Sequence, residues 1–298
     1  MTDVAIIIVT YNSEDSIADL LGSIAADSPG REPTTVVVDN GSADGTLAAV
    51  ARFGWVQAVR SANHGYAAGI NRGVEATPDA AAHLILNPDL TVRPGAVSAL
   101  LAQLADPRVG IVAPKVVNGD GTLERSLRRT PTLARALGLN STGLPVFAEY
   151  VTEDSAYAEA RDVDWALGAA LLVRRDCSRD VGAWDESFFL YSEETDYCVR
   201  ARAAGWLVRF TPDATVVHTG GGSGRNDKTH VMQIVNKVRF YARSHAAIAA
   251  WAYWAATVLS ELTWIARGHP QSRASVKALF RPGTRPKELG CGDRVLPL

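Results

Sequence analysis

Three unbroken apolar runs in the first third of the chain each stop at a short polar cluster. Ala5-Ile6-Ile7-Ile8-Val9 stops at Thr10-Tyr11-Asn12, Val36-Val37-Val38 at Asp39-Asn40-Gly41-Ser42, and Leu84-Ile85-Leu86 at Asn87-Pro88-Asp89. Aliphatic runs without alternation predict strands covered on both faces, and hence a parallel sheet. Between the runs the period becomes helical. Ile17, Leu20, Leu21 and Ile24 form one stripe behind an N-cap at Asn12 or Ser13, with Glu14 and Asp15 in the first turn. Pro94 opens a later helix with the stripe Val97, Leu100, Leu101 and Leu104. Val109 to Ala113 reads as a strand stopped by Pro114, and Trp165 to Val173 as one more. This alternation of strand and helix predicts an α/β fold with a mostly parallel sheet flanked by helices.

Two regions break the pattern. Residues 118 to 163 are rich in Gly, Pro, Thr and Arg with weak periodicity, and read as loops and short elements. Ala246 to Ala266 is apolar and Ala-rich, holds Trp251, Trp254, Trp264 and Glu261, and is followed by Arg267, Arg273, Lys277, Arg281, Arg285 and Lys287. A helix lying on a membrane surface, a helix docked on the domain and a spanning helix all fit such a stretch; the interfacial Trp residues and Glu261 favour the first. The expected organisation is therefore a catalytic domain over residues 1–225, with halves at about 1–115 and 116–225, and a helical tail over 226–298.

Composition narrows the function. The chain has 298 residues, 47% of them hydrophobic, enough for one large core. A net charge of −2 disfavours a general nucleic-acid binder. Three widely spaced cysteines, Cys177, Cys198 and Cys291, offer neither a zinc spacing nor a disulfide framework, and no signal-peptide pattern precedes Val4; both point to the cytoplasm, at the inner face of the membrane if the tail binds lipid.

Candidate chemistry gathers at strand ends, because ligands of open parallel sheets bind beyond the carboxyl ends of the strands. Asp39 and Asp89 both lie there, a pair suited to a nucleotide and a metal ion. Each also has a plain reading as a turn-capping residue. His218 ends the apolar Ala214-Thr215-Val216-Val217 and precedes a glycine run that reaches Arg225. Glu193-Glu194-Thr195-Asp196 opens a helix, where acidic residues also suit the dipole and Asp196 can pair with Arg200 at i,i+4.

The ordered set of Val9-Thr10-Tyr11-Asn12, Val38-Asp39-Asn40-Gly41-Ser42, Asn63-His64-Gly65-Tyr66-Ala67-Ala68-Gly69-Ile70-Asn71-Arg72-Gly73, Asn87-Pro88-Asp89, Trp165-Ala166-Leu167-Gly168-Ala169-Ala170, Glu193-Glu194-Thr195-Asp196 and His218 resembles the family 2 inverting glycosyltransferases. The resemblance runs over about residues 4 to 225 and points to the bacterial rhamnosyltransferases of cell-wall and O-antigen assembly. It implies a GT-A fold, a nucleotide-diphosphate sugar as donor, and Mg²⁺ or Mn²⁺. By the resemblance, Asp39 grips a uracil or thymine base, and Thr10, Tyr11 and Asn12 line that pocket. Asn63, Gly65 and Asn71 hold the nucleotide and the start of the sugar, although Gly69 and Gly73 also suit close packing. Asn87 stands where the family's Asp-any-Asp motif has its first Asp, and Asp89 with His218 would carry the metal. Arg225 and the glycine run would close over the diphosphate. Glu194 maps to the general base, where Asp is usual, with Glu193 and Asp196 as alternatives. Asp164, Trp165 and Gly168 would line the acceptor and sugar site, Trp165 also suiting a core. Arg128 and Arg129 would meet a phosphorylated lipid acceptor, or form solvated surface charge.

The implied function is transfer of a sugar, foremost L-rhamnose from dTDP-rhamnose, to a glycan or polyprenyl-diphosphate-linked acceptor. A transferase using a UDP-hexose or UDP-N-acetylhexosamine, and an inactive binding protein on the same fold, are the alternatives. The sequence leaves a homo-oligomer open.

Overall fold

The computed structural model describes residues 3–28, 30, 32–139, 142–219, 226–290 and 295–296. The expected runs become β1 (Val4–Thr10), β2 (Thr34–Asp39) and β4 (Ala82–Leu86), with β3 (Val56–Arg60) between. Shorter or later strands are β5 (Leu90–Val92), β6 (Val109–Asn118), β7 (Leu127–Arg128), β8 (Arg161–Asp162), β9 (Trp165–Ala166), β10 (Ala170–Arg174) and β11 (Leu207–His218). The helices are α1 (Glu14–Asp27), α2 (Thr46–Val50), α3 (Tyr66–Ala76), α4 (Ala96–Gln103) and α5 (Leu133–Ala136). They continue with α6 (Arg175–Val181), α7 (Glu193–Ala203), α8 (Asp227–Ser244), α9 (Ala247–Ala266) and α10 (Gln271–Phe280).

Among the described residues, the main sheet runs β3-β2-β1-β4-β10-β6-β11-β5, with β8 pairing β11. Its first four strands are parallel, and Thr10 faces Asp39 across β1 and β2. Because side chains alternate across a strand, β1 feeds two cores. Ile6 and Ile8 pack with Ile17, Leu20 and Leu21 of α1 on one face; Ile7 and Val9 pack with Ile70 of α3 on the other. Gly69 and Gly73 let α3 lie on β1, since an added methyl group would run into Val9 and Ile7 respectively.

Three expectations change. Pro114 does not stop β6, which continues to Asn118. The ladder to β11 shifts register beside it, between Thr211 and Thr215, and a proline is tolerated where a bulge removes the demand for its N–H. Trp165 to Val173 is not one strand. It breaks at Leu167-Gly168-Ala169, so that β9 pairs β7 in a separate ribbon while β10 joins the main sheet. β10 is antiparallel to both β4 and β6 and stitches the two ends of the sheet together. The boundary expected near residue 115 thus falls inside β6.

The tail helices pack on the domain. Val235, Val238, Tyr253, Ala278 and Leu279 make a third core. No described helix is long and apolar enough to cross a membrane. Glu261, the charge that interrupts the apolar stretch, points inward and meets His230 at 3.0 Å. Ile248, Trp251, Leu259 and Leu262 repeat at helical spacing along the outer side of α9 and are exposed.

Candidate active site

Asp39 ends β2 almost wholly buried. Its Oδ1 accepts from the Thr10 hydroxyl at 3.0 Å and from the Ser42 hydroxyl, and its Oδ2 from the Ser42 N–H at 3.0 Å. The carboxylate is therefore fixed in place and also caps its turn. Tyr11, just beyond β1, is 54% exposed and presents its ring at the same strand ends. Asn12 adopts a left-handed conformation (φ 51°) and its side chain accepts from the Ala43 N–H at 2.9 Å, closing this corner. Asn40 reaches the other way, donating to the Gly65 carbonyl at 3.0 Å. Gly65 (φ 98°) has no room for a side chain, because its backbone lies against that of Phe189. Asn63 accepts from the Gly65 N–H at 3.1 Å.

The second corner joins the ends of β4 and β11. His218 Nε2 stands 3.3 Å from Asp89 Oδ2, and its Nδ1 2.9 Å from Glu124 Oε2. Hydrogen bonds to Asp89 first and Glu124 next, followed by their charges, raise the imidazole to about 10. Thr219 donates its N–H and hydroxyl to the Asp89 carbonyl, fixing the strand end. Asn87, half-buried, donates its N–H to the Ala169 carbonyl at 2.8 Å.

Between the corners sits a pair of buried acids. Glu193 and Glu194 are 4% and 8% exposed, and among the described residues the Oε2 of neither has a hydrogen-bond partner. Burial raises both carboxyls, and the charge of Glu194 adds to the rise at Glu193. Backbone N–H groups and the Arg128 charge pull Glu194 partly back. Gly168 lies directly against the Glu194 side chain, where a Cβ would come within 3.1 Å. The Tyr66 phenol stands near this pair and Asp89: burial first, then Glu193, Glu194 and Asp89, hold it well above the usual tyrosine range. Strand ends, α3 and the start of α7 thus surround one polar centre.

Residues 5–152 match the model of the glycosyl transferase family 2. A Mycobacterium tuberculosis N-acetylglucosaminyl-diphospho-decaprenol L-rhamnosyltransferase is 34% identical over 251 residues, covering 78% of this chain and 81% of the relative. The chain belongs to glycosyl transferase family 2. Solved structures agree on the GT-A fold. GalNAc-T7 with UDP, GalNAc and Mn²⁺ superposes with a TM-score of 0.65 at 14% identity, covering 93% of this chain and 55% of that one. The mannosyltransferase PcManGT of Pyrobaculum calidifontis, with GDP-Man and Mn²⁺, gives 0.59 at 19% identity, covering 94% and 81%.

Several residues expected in the glycosyltransferase's site have partners within the fold. Asn71 spends its side chain on Trp184, donating to the carbonyl at 3.0 Å and accepting from the N–H at 2.9 Å, and donates to Glu186 as well. Asp196 forms the i,i+4 pair with Arg200 at 2.7 Å and is not with Glu193 and Glu194. Asp164 accepts from the Thr130 N–H at 2.7 Å and pairs with Arg202 at 3.1 Å. Trp165 is buried and donates to the Arg129 carbonyl at 3.1 Å. Arg225 lies outside the described residues, as does the glycine run before it.

Arg128 is not solvated surface charge. It is 8% exposed, and its guanidinium lies 3.7 Å from the centre of the Tyr150 ring. Arg129 is tied to Glu153 at 2.9 Å and to nearby carbonyls. Sequence reasoning missed Glu124 and Tyr66. Tyr66 stands inside a quoted motif, and its place at the start of α3 was the available signal. Glu124 offered none.

Proposed function

We propose that this glycosyltransferase moves L-rhamnose from dTDP-rhamnose, with inversion, to N-acetylglucosamine on a polyprenyl diphosphate. The observation that carries this reading is the 34% identity to the mycobacterial rhamnosyltransferase over most of both chains. Asp39, held by Thr10 and Ser42, accepts the imide N–H of the base, with the Tyr11 ring beside it. The residues at the second corner fit a divalent ion that would displace the proton held between Asp89 and the His218 Nε2: a carboxylate oxygen and an imidazole nitrogen converge, and Glu124 orients the ring from behind. Among the described residues no group of three ligating side chains exists, so diphosphate and water oxygens would complete the shell. A bound Mg²⁺ or Mn²⁺ would neutralise charge on the departing diphosphate. The acceptor hydroxyl attacks C1 from the side opposite the leaving group, and Glu194 takes its proton.

A donor panel tests the reading. Transfer is expected from dTDP-rhamnose; transfer from UDP-hexoses alone would move the donor assignment, and none from any nucleotide-sugar would favour a binding protein. In the same assay Asp39→Asn should weaken dTDP by roughly tenfold or more, from loss of a charge-assisted bond of ~1.5–3 kcal/mol. Both Asp39 oxygens already accept internal bonds, so the amide must also set an N–H against a donor. Equal calorimetric affinity would remove the base contact.

The acceptor's lipid suggests where the outer side of α9 belongs. Ile248, Trp251, Leu259, Leu262 and Phe280 are exposed on α9 and α10, and Arg267, Arg273, Lys277 and Arg281 follow α9 in sequence, a combination that suits an anionic bilayer surface. The chain should co-sediment with phosphatidylglycerol vesicles, and Trp251→Ser with Leu259→Ser should release it while dTDP binding persists. A native chain that ignores vesicles would end this idea.

A further inference from the structure

The acidic pair is carried by a segment of unusual conformation. Phe189 (φ 59°), Tyr191 (φ 69°) and Ser192 (φ 76°) all occupy the left-handed region, where non-glycine residues are disfavoured and bulky ones most so. Such a run persists only if its surroundings dictate it. Glu193 follows at once as the first residue of α7.

The surroundings come from α8. Asn236 is fully buried, and its amide nitrogen donates to the carbonyls of Phe188 at 2.6 Å, Leu190 at 2.9 Å and Tyr191 at 3.1 Å. Its own oxygen accepts from Arg239 at 2.9 Å, which turns the nitrogen toward the segment. Arg239 also donates to the Ser187 carbonyl at 3.0 Å. From the opposite side the Tyr66 N–H donates to the Phe189 carbonyl at 2.7 Å, next to the close approach of Gly65. The segment is strung between α8 and α3, and the acids begin where it ends.

Resting on the general-base reading above, we propose that Asn236 is a positioning residue: by clamping three carbonyls of residues 188–191 it sets Glu193 and Glu194 against the acceptor and donor. Only an amide meets both demands. Aspartate cannot donate to the carbonyls, and alanine leaves them buried without this partner.

Asn236→Asp and Asn236→Ala test the clamp, with Val235→Ala as a control that thins the core shared by α8 and the segment while leaving the amide and its three carbonyl contacts in place. Turnover is expected to fall by roughly 10–100-fold in the Asn236 variants, the cost of misplacing reacting groups. The dTDP affinity should fall far less than turnover, because the base contact at Asp39 is held by Thr10 and Ser42 and not by the segment. Val235→Ala should keep its turnover per nucleotide-binding molecule. Unchanged turnover in Asn236→Asp, or an equal loss in Val235→Ala, overturns the proposal. Should neither Asn236 variant bind dTDP, Arg239→Gln decides by the same criteria, since it releases the amide's orientation together with the second tie to the segment at the Ser187 carbonyl. Hydrogen exchange at residues 189–193 needs no substrate and should quicken in these variants. It therefore judges the clamp even if the donor assignment fails, and unaltered exchange overturns it.

Discussion

Glu194→Gln is expected to bind dTDP as the native chain does and to turn over roughly 10²–10⁴ times more slowly, the usual worth of a positioned base. Glutamine keeps the shape that packs against Gly168 but cannot take a proton. Glu193→Gln should cost less, because burial and the charge of Glu194 both raise the Glu193 carboxyl and disfavour its ionised form. The base must be ionised to act, and burial raises Glu194. Turnover should therefore fall on acidification with a midpoint above the ordinary glutamate range. The reverse ranking of the two variants would move the base to Glu193. Asp196, paired with Arg200 at 2.7 Å, is the third carboxylate to vary, and an essential Asp196 with both glutamates dispensable would move the base there. Indifference to all three would remove the inverting mechanism.

Removing divalent ions should abolish transfer, a loss of at least roughly 10²-fold, since neutralising the leaving group is worth several kcal/mol. Adding Mn²⁺ or Mg²⁺ should restore it. Asp89→Ala should resist that rescue, while leaving the Asp39 corner able to bind a nucleoside. Full transfer in EDTA would hand the task to the protein's own cations, and Arg225→Ala would then be the variant to make.

Strand-forming runs carried much of the fold because burial on both faces leaves a local signature. β4 ends where its apolar run ends, β1 and β2 end one residue later on the first polar side chain, and Ile17, Leu20, Leu21 and Ile24 are the buried face of α1. Strand direction left no such mark. The insertion of β10 beside β4 depends on pairing across more than eighty residues, and the break at Gly168 looks apolar locally. The site divides in the same way. Asp39, Asp89 and His218 were legible as polar residues at strand ends. Asn71 and Asp164 carry the right chemical type and meet distant partners, the Trp184 backbone and Arg202, that no local pattern shows; the Asp196–Arg200 pair was legible as an i,i+4 spacing. Glu124 and Asn236 sit in stretches with no strand-end or motif context, so only tertiary structure reveals them.

The central place of β10 also sets an order of events on the ribosome. β4 is complete at Leu86, but the strand that covers its free side begins at Ala170. At ~5–20 residues per second, roughly 4–17 seconds of synthesis separate the two. For that interval the nascent N-terminal part of the sheet exposes an apolar edge, Ala82-His83-Leu84-Ile85-Leu86, with no lysine or proline to blunt it. Crowded translation, rather than equilibrium stability, is then where this chain is most prone to aggregate.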